Sequence, residues 1–142
     1  MKPFQATEHQ EQVSLFHWAA HMSGKYPELR LMYAIPNGGL RNPVVAKKLK
    51  AEGVKAGVPD IFLPAARCGY HGLYIEMKRT KGGKLSAEQA HWMTELLEQG
   101  YAVYKAEGWV KAKEIIESYL KIPCEKGRNT ADFKDIGKTI PM

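Results

Sequence analysis

Apolar and polar positions recur with two different periods along this chain, and the changes of period mark out eight elements. From Thr7 to about Met22 the spacing is helical, with Val13, Phe16 and Ala20 on one stripe and Leu15, Ala19 and Met22 beside it. Thr7 followed three residues later by Gln10 forms a capping box that starts this helix. Residues 23–28 read as a turn, and residues 31–35 as a strand closed by Pro36-Asn37-Gly38-Gly39. Pro43 suits the first turn of a second helix that runs through Glu52 and stops at Gly53. Two short β-branched and aromatic runs follow, Gly57 to Leu63 and Gly72 to Lys78, paired as a hairpin across residues 64–71. Ser86 opens a third helix with Gln89 in the capping-box position, and Gly100 ends it. Gln89 shares a face with Met93, Leu96 and Leu97, so it can serve both as a cap and as a residue aimed at the sheet. A strand over residues 101–105 and a last helix from Trp109 to Leu120 complete the pattern, with Val110, Ala112, Ile115, Ile116, Tyr119 and Leu120 available for packing. No internal repeat is present.

Strand alternation puts charges where a buried strand would not carry them. Leu73, Ile75 and Met77 point one way, while Tyr74, Glu76 and Lys78 point the other. Glu76 and Lys78 therefore share a face, roughly 6 to 7 Å apart at the backbone. Asp60 follows Pro59 at the mouth of the preceding strand, and the hairpin can bring it beside Glu76. Two carboxylates with open positions suit a hard cation such as Mg²⁺ or Mn²⁺, and a lysine beside them suits an attacked phosphate. The same residues also have a plain structural reading. An Asp after Pro is a common turn residue, and Glu-x-Lys on a strand is a common solvated face or ion pair.

Length and charge narrow the partners. The 142 residues, 44% of them apolar, are enough for one domain with a core. A net charge of +6 suits a polyanion. Arg41 lies in the glycine loop, Lys47, Lys48 and Lys50 on the second helix, and Lys55 just past it. Arg79, Lys81 and Lys84 lie in the glycine-containing loop after Lys78, which lacks the order of a Walker phosphate loop. Each group is either a solvated surface or a contact to nucleic-acid phosphates. The two cysteines, Cys68 and Cys124, indicate neither a disulfide framework nor a structural zinc site. His17 and His21 stand one turn apart, but Trp18 occupies the place where a metalloprotease needs its Glu, so surface or core histidines are expected. No signal peptide and no membrane span is legible, and an intracellular, soluble protein is expected.

The order helix, strand, helix, strand, strand, helix, strand, helix resembles the restriction-endonuclease-like PD-(D/E)xK fold, an α/β architecture with a central mixed sheet flanked by helices. More closely, residues 53–60 (Gly-Val-Lys-Ala-Gly-Val-Pro-Asp), residues 72–78 (Gly-Leu-Tyr-Ile-Glu-Met-Lys) and the following Gln89 resemble the VRR-NUC (virus-type replication-repair nuclease) family. The Asn37-Gly38-Gly39 loop and Gly100-Tyr101 are similar too. The resemblance covers about Glu8 to Leu120. It implies a nuclease domain over residues 1–120 and leaves residues 121–142 as an extension, loosely ordered or packed on a neighbour.

The resemblance also implies roles. Asp60 and Glu76 match the family's metal-binding acids, with a backbone carbonyl at Met77. Lys78 matches its active-site lysine, and Gln89 a glutamine on the next helix. For the acid on the first helix, Glu8 is the first choice, one turn before Gln12, and Glu11 stays open. The implied activity is Mg²⁺- or Mn²⁺-dependent, structure-specific DNA cleavage. The stand-alone members from phages and bacteria, similar to this chain in size, resemble Holliday-junction resolvases that act as homodimers, so branched DNA, a second copy and the cytoplasm of a bacterial or phage-infected cell are the implied partners and setting. A flap or duplex nuclease with the same site and a non-catalytic DNA-binding module are the alternatives.

Overall fold

The computed structural model describes residues 2–36 and 42–123. Four strands, β1 (Tyr33–Ala34), β2 (Ile61–Leu63), β3 (Leu73–Lys78) and β4 (Ala102–Glu107), form one sheet in sequence order. The first two pairings are antiparallel and the last is parallel. A parallel neighbour cannot be reached by a tight turn, so a helix, α3 (Ala87–Glu98), carries the chain from β3 to β4. The other helices are α1 (Glu8–Met22), α2 (Pro43–Ala51) and α4 (Trp109–Leu120). The result is a mixed four-stranded sheet flanked by helices, the α/β architecture expected from the order of elements.

The core lies between the sheet and the α1/α4 pair. Leu15 of α1, Ile116 of α4 and Ile61, Leu63, Leu73, Ile75 and Met77 of the sheet are enclosed together. Each such side chain contributes about 1.5–3 kcal/mol by leaving water. The packed stripe of α1 is Leu15 and Ala19 with Phe16, Trp18 and Met22 at its border, so Val13 and Ala20, expected to pack, face solvent instead. Val110 of α4 and Leu97 of α3 are likewise about half exposed, at 50% and 52%. Neither α2 nor α3 buries any residue fully, and α2 packs on no other helix or strand among the described residues.

Two strands are shorter than their sequence runs. Pro27 starts a 3₁₀ turn over Pro27–Leu31, and the Met32 N–H closes on the Leu29 carbonyl at 3.2 Å. Only Tyr33 and Ala34 remain free to pair. In the run from Gly57, the glycine sits at φ +89° and Pro59 offers no N–H, so ladder pairing begins at Ile61. One further hydrogen bond, Ile35 N–H to the Asp60 carbonyl at 2.7 Å, ties the strand mouth to the end of β1. Past α4, Ile122 packs against the core and the Pro123 carbonyl accepts from Cys68 N–H at 2.9 Å. No helix among the described residues is long and apolar enough to cross a membrane.

Candidate active site

The register of β2 on β3 builds the site. Ile61 faces Ile75, so Asp60, one residue earlier, falls opposite Glu76. The Asp60 side chain then closes on the next strand, its Oδ2 accepting the Met77 N–H at 2.7 Å. Glu76 and Lys78 lie on the sheet face away from the main core, yet both are buried, at 2% and 6% exposure. Lys78 Nζ is 3.5 Å from Glu76 Oε1.

Gln89 completes the cluster from α3. Its Nε2 donates to Glu76 Oε1 at 2.8 Å, and its Oε1 accepts from Lys78 Nζ at 3.1 Å and from Ser86 N–H at 2.9 Å. Gln89 N–H donates to Ser86 Oγ at 3.1 Å. One side chain therefore closes the capping box and fixes the acid and the lysine at once.

The remaining oxygen, Glu76 Oε2, is buried and accepts no hydrogen bond among the described residues. A buried carboxylate oxygen without a donor is unfavourable. Burial first, and then the neighbouring Asp60 carboxylate, raise the Glu76 pKa to about 8, against the lowering effect of Lys78. A buried acid that resists ionising beside a second carboxylate, with one oxygen lacking a donor, suits a divalent cation that would keep Glu76 charged. No three His, Cys, Asp or Glu side chains converge among the described residues. A hard ion that keeps several waters and takes ligands from a phosphate fits such a sparse oxygen set better than zinc does.

Lys78 is also constrained from the loop that follows it. A Cβ on Gly83 would sit 2.7 Å from Lys78 Cβ and 3.2 Å from its Cγ and Cδ, so the loop lies directly on the lysine stem. Gly83→Ala is expected to displace Nζ and lower the rate of the reaction at this site by about tenfold to a hundredfold, since ångström-scale misplacement has effects of that size. Its melting temperature should also fall by a few degrees, because the added Cβ meets the fixed Cβ of a buried strand residue and the loop must give way. An unchanged rate would show that the loop does not position Lys78.

The two α1 acids separate cleanly. Glu11 is 7% exposed, and its Oε2 accepts the Trp109 N–H at 2.7 Å. The N-cap of α4 is Gly108, which has no side chain to cap with, so Glu11 supplies that function across the fold and is favoured there by the helix dipole. Loss of the cap in Glu11→Ala is expected to cost about 0.5–2 kcal/mol. Thermal unfolding should report this as a drop of a few degrees, and an unaltered melting temperature would contradict the capping role. Glu8, exposed at the first position of α1, instead lines a cleft of about 470 Å³ with His9, Arg79, Gly82, Gly83 and Lys84. Gln5 Nε2 donates to the Lys81 carbonyl at 3.1 Å and holds the segment before α1 against that loop.

The basic residues fall into two groups. Arg79 and Lys84 share the Glu8 cleft, and Lys81 is exposed on the same loop. Lys47, Lys48 and Lys50 are exposed on α2 and Lys55 beyond it, where Lys50 and Lys55 edge an apolar groove with Leu49, Val54 and Trp92. Arg41 and the Asn37-Gly38-Gly39 loop lie outside the described residues, as does Cys124. His17 and His21 are exposed. Sequence reasoning did not single out Gly83 as a brace for Lys78, nor Tyr33, Phe62 and Tyr101 as neighbours of Tyr74 on the site's side of the sheet. Cross-strand register is the missing signal for the aromatic row, and the path of the loop after β3 for Gly83, because both are properties of the folded chain.

Residues 6–109 match the family model described as the VRR-NUC domain. Among solved structures, one described as "VRR_NUC domain protein" superposes with a TM-score of 0.73 at 29% identity, covering 85% of this chain and 93% of that one. No curated protein matches the chain.

Proposed function

The chain belongs to the VRR-NUC domain family of nucleases, and from that premise we propose that it is a Mg²⁺- or Mn²⁺-dependent endodeoxyribonuclease that cuts four-way (Holliday) junctions as a homodimer. The observation that carries the hydrolytic reading is the cluster of Asp60, Glu76, Lys78 and Gln89, in which Gln89 and Lys78 both contact one oxygen of the buried Glu76 and its other oxygen is left without a donor among the described residues.

Asp60 and Glu76 would hold the metal, with the Met77 carbonyl, and Glu8 would reach it through an outer water or a second ion. When bound, the ion supplies Lewis acidity and a water of lowered pKa. Lys78 Nζ, held between Glu76 and Gln89, donates to the attacking water or to the phosphate oxygen on which charge develops. Gln89 keeps the Glu76 carboxylate in one rotamer by donating to Oε1. Arg79, Lys81 and Lys84 follow the strand being cut, and Lys47, Lys48, Lys55 and Arg41 add contacts to flanking phosphates. The products carry a 5′-phosphate and a 3′-hydroxyl. A homodimer gives paired sites for the paired strands of a two-fold junction, and the setting is the cytoplasm of a bacterial or phage-infected cell.

The test is cleavage of a labelled four-way junction, a flap and a matched linear duplex by wild type and Asp60→Ala, with Mg²⁺, with Mn²⁺ and with chelator. Paired cuts in opposite strands of the junction, absent with chelator and absent for Asp60→Ala, are expected. Equal cutting of linear duplex removes the junction reading and keeps the nuclease. Preference for the flap moves the substrate to single-strand branches, and binding without any cutting leaves a DNA-binding module.

A further inference from the structure

Four aromatic rings stand together on the face of the sheet that carries Glu76 and Lys78. Register brings Tyr33 of β1, Phe62 of β2 and Tyr74 of β3 side by side, and Tyr101 adjoins them just before β4. Phe62 and Tyr74 are stacked at 4.3 Å between centroids, and Tyr33 meets Phe62 edge-on at 5.9 Å. Tyr101 meets Tyr74 at 5.2 Å. Tyr74 precedes Glu76 by two residues, so the cluster begins about 7 Å along the strand from the acid.

Three features separate this cluster from ordinary core. Among the described elements, α1 and α4 cover the opposite face and α3 packs on β4, which leaves the β1/β2 side of the aromatic face without a helix. Tyr33 is 50% exposed, and the other three rings are partly exposed. The two tyrosines that pack with the main core use their hydroxyls, Tyr26 on Glu117 and Tyr119 on the Ala65 carbonyl, whereas those of Tyr33, Tyr74 and Tyr101 bond to none of the described residues. The arrangement is also braced, because a Cβ on Gly72 would lie 2.7 Å from Phe62 Cε2 and lift the ring off the strand.

Apolar faces with polar tips, wet and held in place beside a phosphodiester site on a chain of net charge +6, suit a nucleobase that has left its stack. We infer that Tyr33, Phe62, Tyr74 and Tyr101 form a stacking platform for an unpaired base of the strand being cut. This rests on the DNA-nuclease reading and bears on its substrate, since a platform of this kind favours DNA with an unpaired nucleotide next to the cleavage site, such as a flap or an opened pair at the centre of a junction, over continuous duplex.

The test uses the full chain, an oligonucleotide flap carrying 2-aminopurine at successive positions around the cut, and matched duplex. With Ca²⁺ in place of Mg²⁺, wild type should quench 2-aminopurine at one position. Tyr33→Ala and Tyr74→Ala should lose that quench and weaken flap binding by about tenfold to a hundredfold, the range of one base–aromatic stack, while duplex binding changes much less. Tyr33→Phe, which keeps the ring, should retain the quench. If Tyr74→Ala fails to fold, the exposed Tyr33→Ala still decides the matter. Unchanged quenching and affinity in Tyr33→Ala, with DNA still cut by wild type, overturns the platform and leaves the nuclease reading intact. Sedimentation of the same variants gives a further refuting outcome: conversion of a dimer to a monomer would assign the face to a second copy instead. If wild type neither binds nor cuts any of these DNAs, the nuclease reading itself fails.

Discussion

Glu76→Gln is expected to abolish cleavage and, at the same time, to make the metal-free protein more stable than wild type in alkaline solution. The activity loss follows from removing one of the two acids that would hold the metal. The stability gain follows from linkage. In the folded protein Glu76 keeps its proton up to about pH 8, because of burial and then Asp60. In the unfolded chain it releases that proton near its ordinary value of 4.5. Between those values the folded state binds more protons, so stability falls as pH rises. The contribution is fully present below about 4.5 and is lost as pH passes through about 8. Glutamine never ionises, and its amide can donate towards Asp60. Metal-free wild type should therefore melt lower at pH 9 than at pH 6 by more than the variant does, with a difference on the order of a few kcal/mol. Saturating Mg²⁺ should narrow that difference. Parallel melting curves for the two proteins across this range, with no divergence, would remove the buried-acid account of Glu76.

Lys78→Ala is the second large effect. The ammonium is buried and fixed between Glu76 Oε1 and Gln89 Oε1, so it is placed before any substrate arrives. Removing one preorganised donor of this kind costs about 10²–10³ in rate. Single-turnover cleavage at saturating enzyme should show the loss in the chemical step, with DNA affinity nearly unchanged. Lys78→Arg should not restore the rate, because a planar fork does not replace a point charge under the Gly83 backbone. Substantial metal-dependent cutting by Lys78→Ala in clean protein would displace the lysine from its role.

Much of this site was legible before any coordinates. Period 2 along residues 73–78 placed Glu76 and Lys78 on one face, and the capping-box spacing placed Gln89 in the first turn of α3. These are local properties, set by strand and helix geometry over a few residues. Asp60 beside Glu76 required the hairpin register, which the sequence suggested through the Pro-Asp start of the strand and the fold supplied through Ile61 opposite Ile75. What was not legible depends on contacts between distant parts of the chain. Nothing near Glu11 signals that its carboxylate ends 2.7 Å from the Trp109 N–H, and a helix-start acid has a sufficient dipole explanation on its own. Likewise nothing local to α2 signals that Val44 and Val45 are 76% and 46% exposed. The strand over residues 31–35 was overextended because propensity does not register a proline-started 3₁₀ turn that consumes its first residues.

The double duty of Gln89 has a consequence for how this protein can vary. Its side chain reaches Glu76 and Lys78 only because it stands three residues after the Ser86 that begins the helix. One inserted residue between them would turn the glutamine by about 100° around the helix axis and away from the sheet. The loop between Arg79 and Leu85 is held differently, by the contact of Gly83 with Lys78 and by Gln5 on the Lys81 carbonyl. The interval from Ser86 to Gln89 therefore acts as a fixed ruler, and a variant of this chain with one residue inserted there is expected to lose the Gln89 contacts to Glu76 and Lys78.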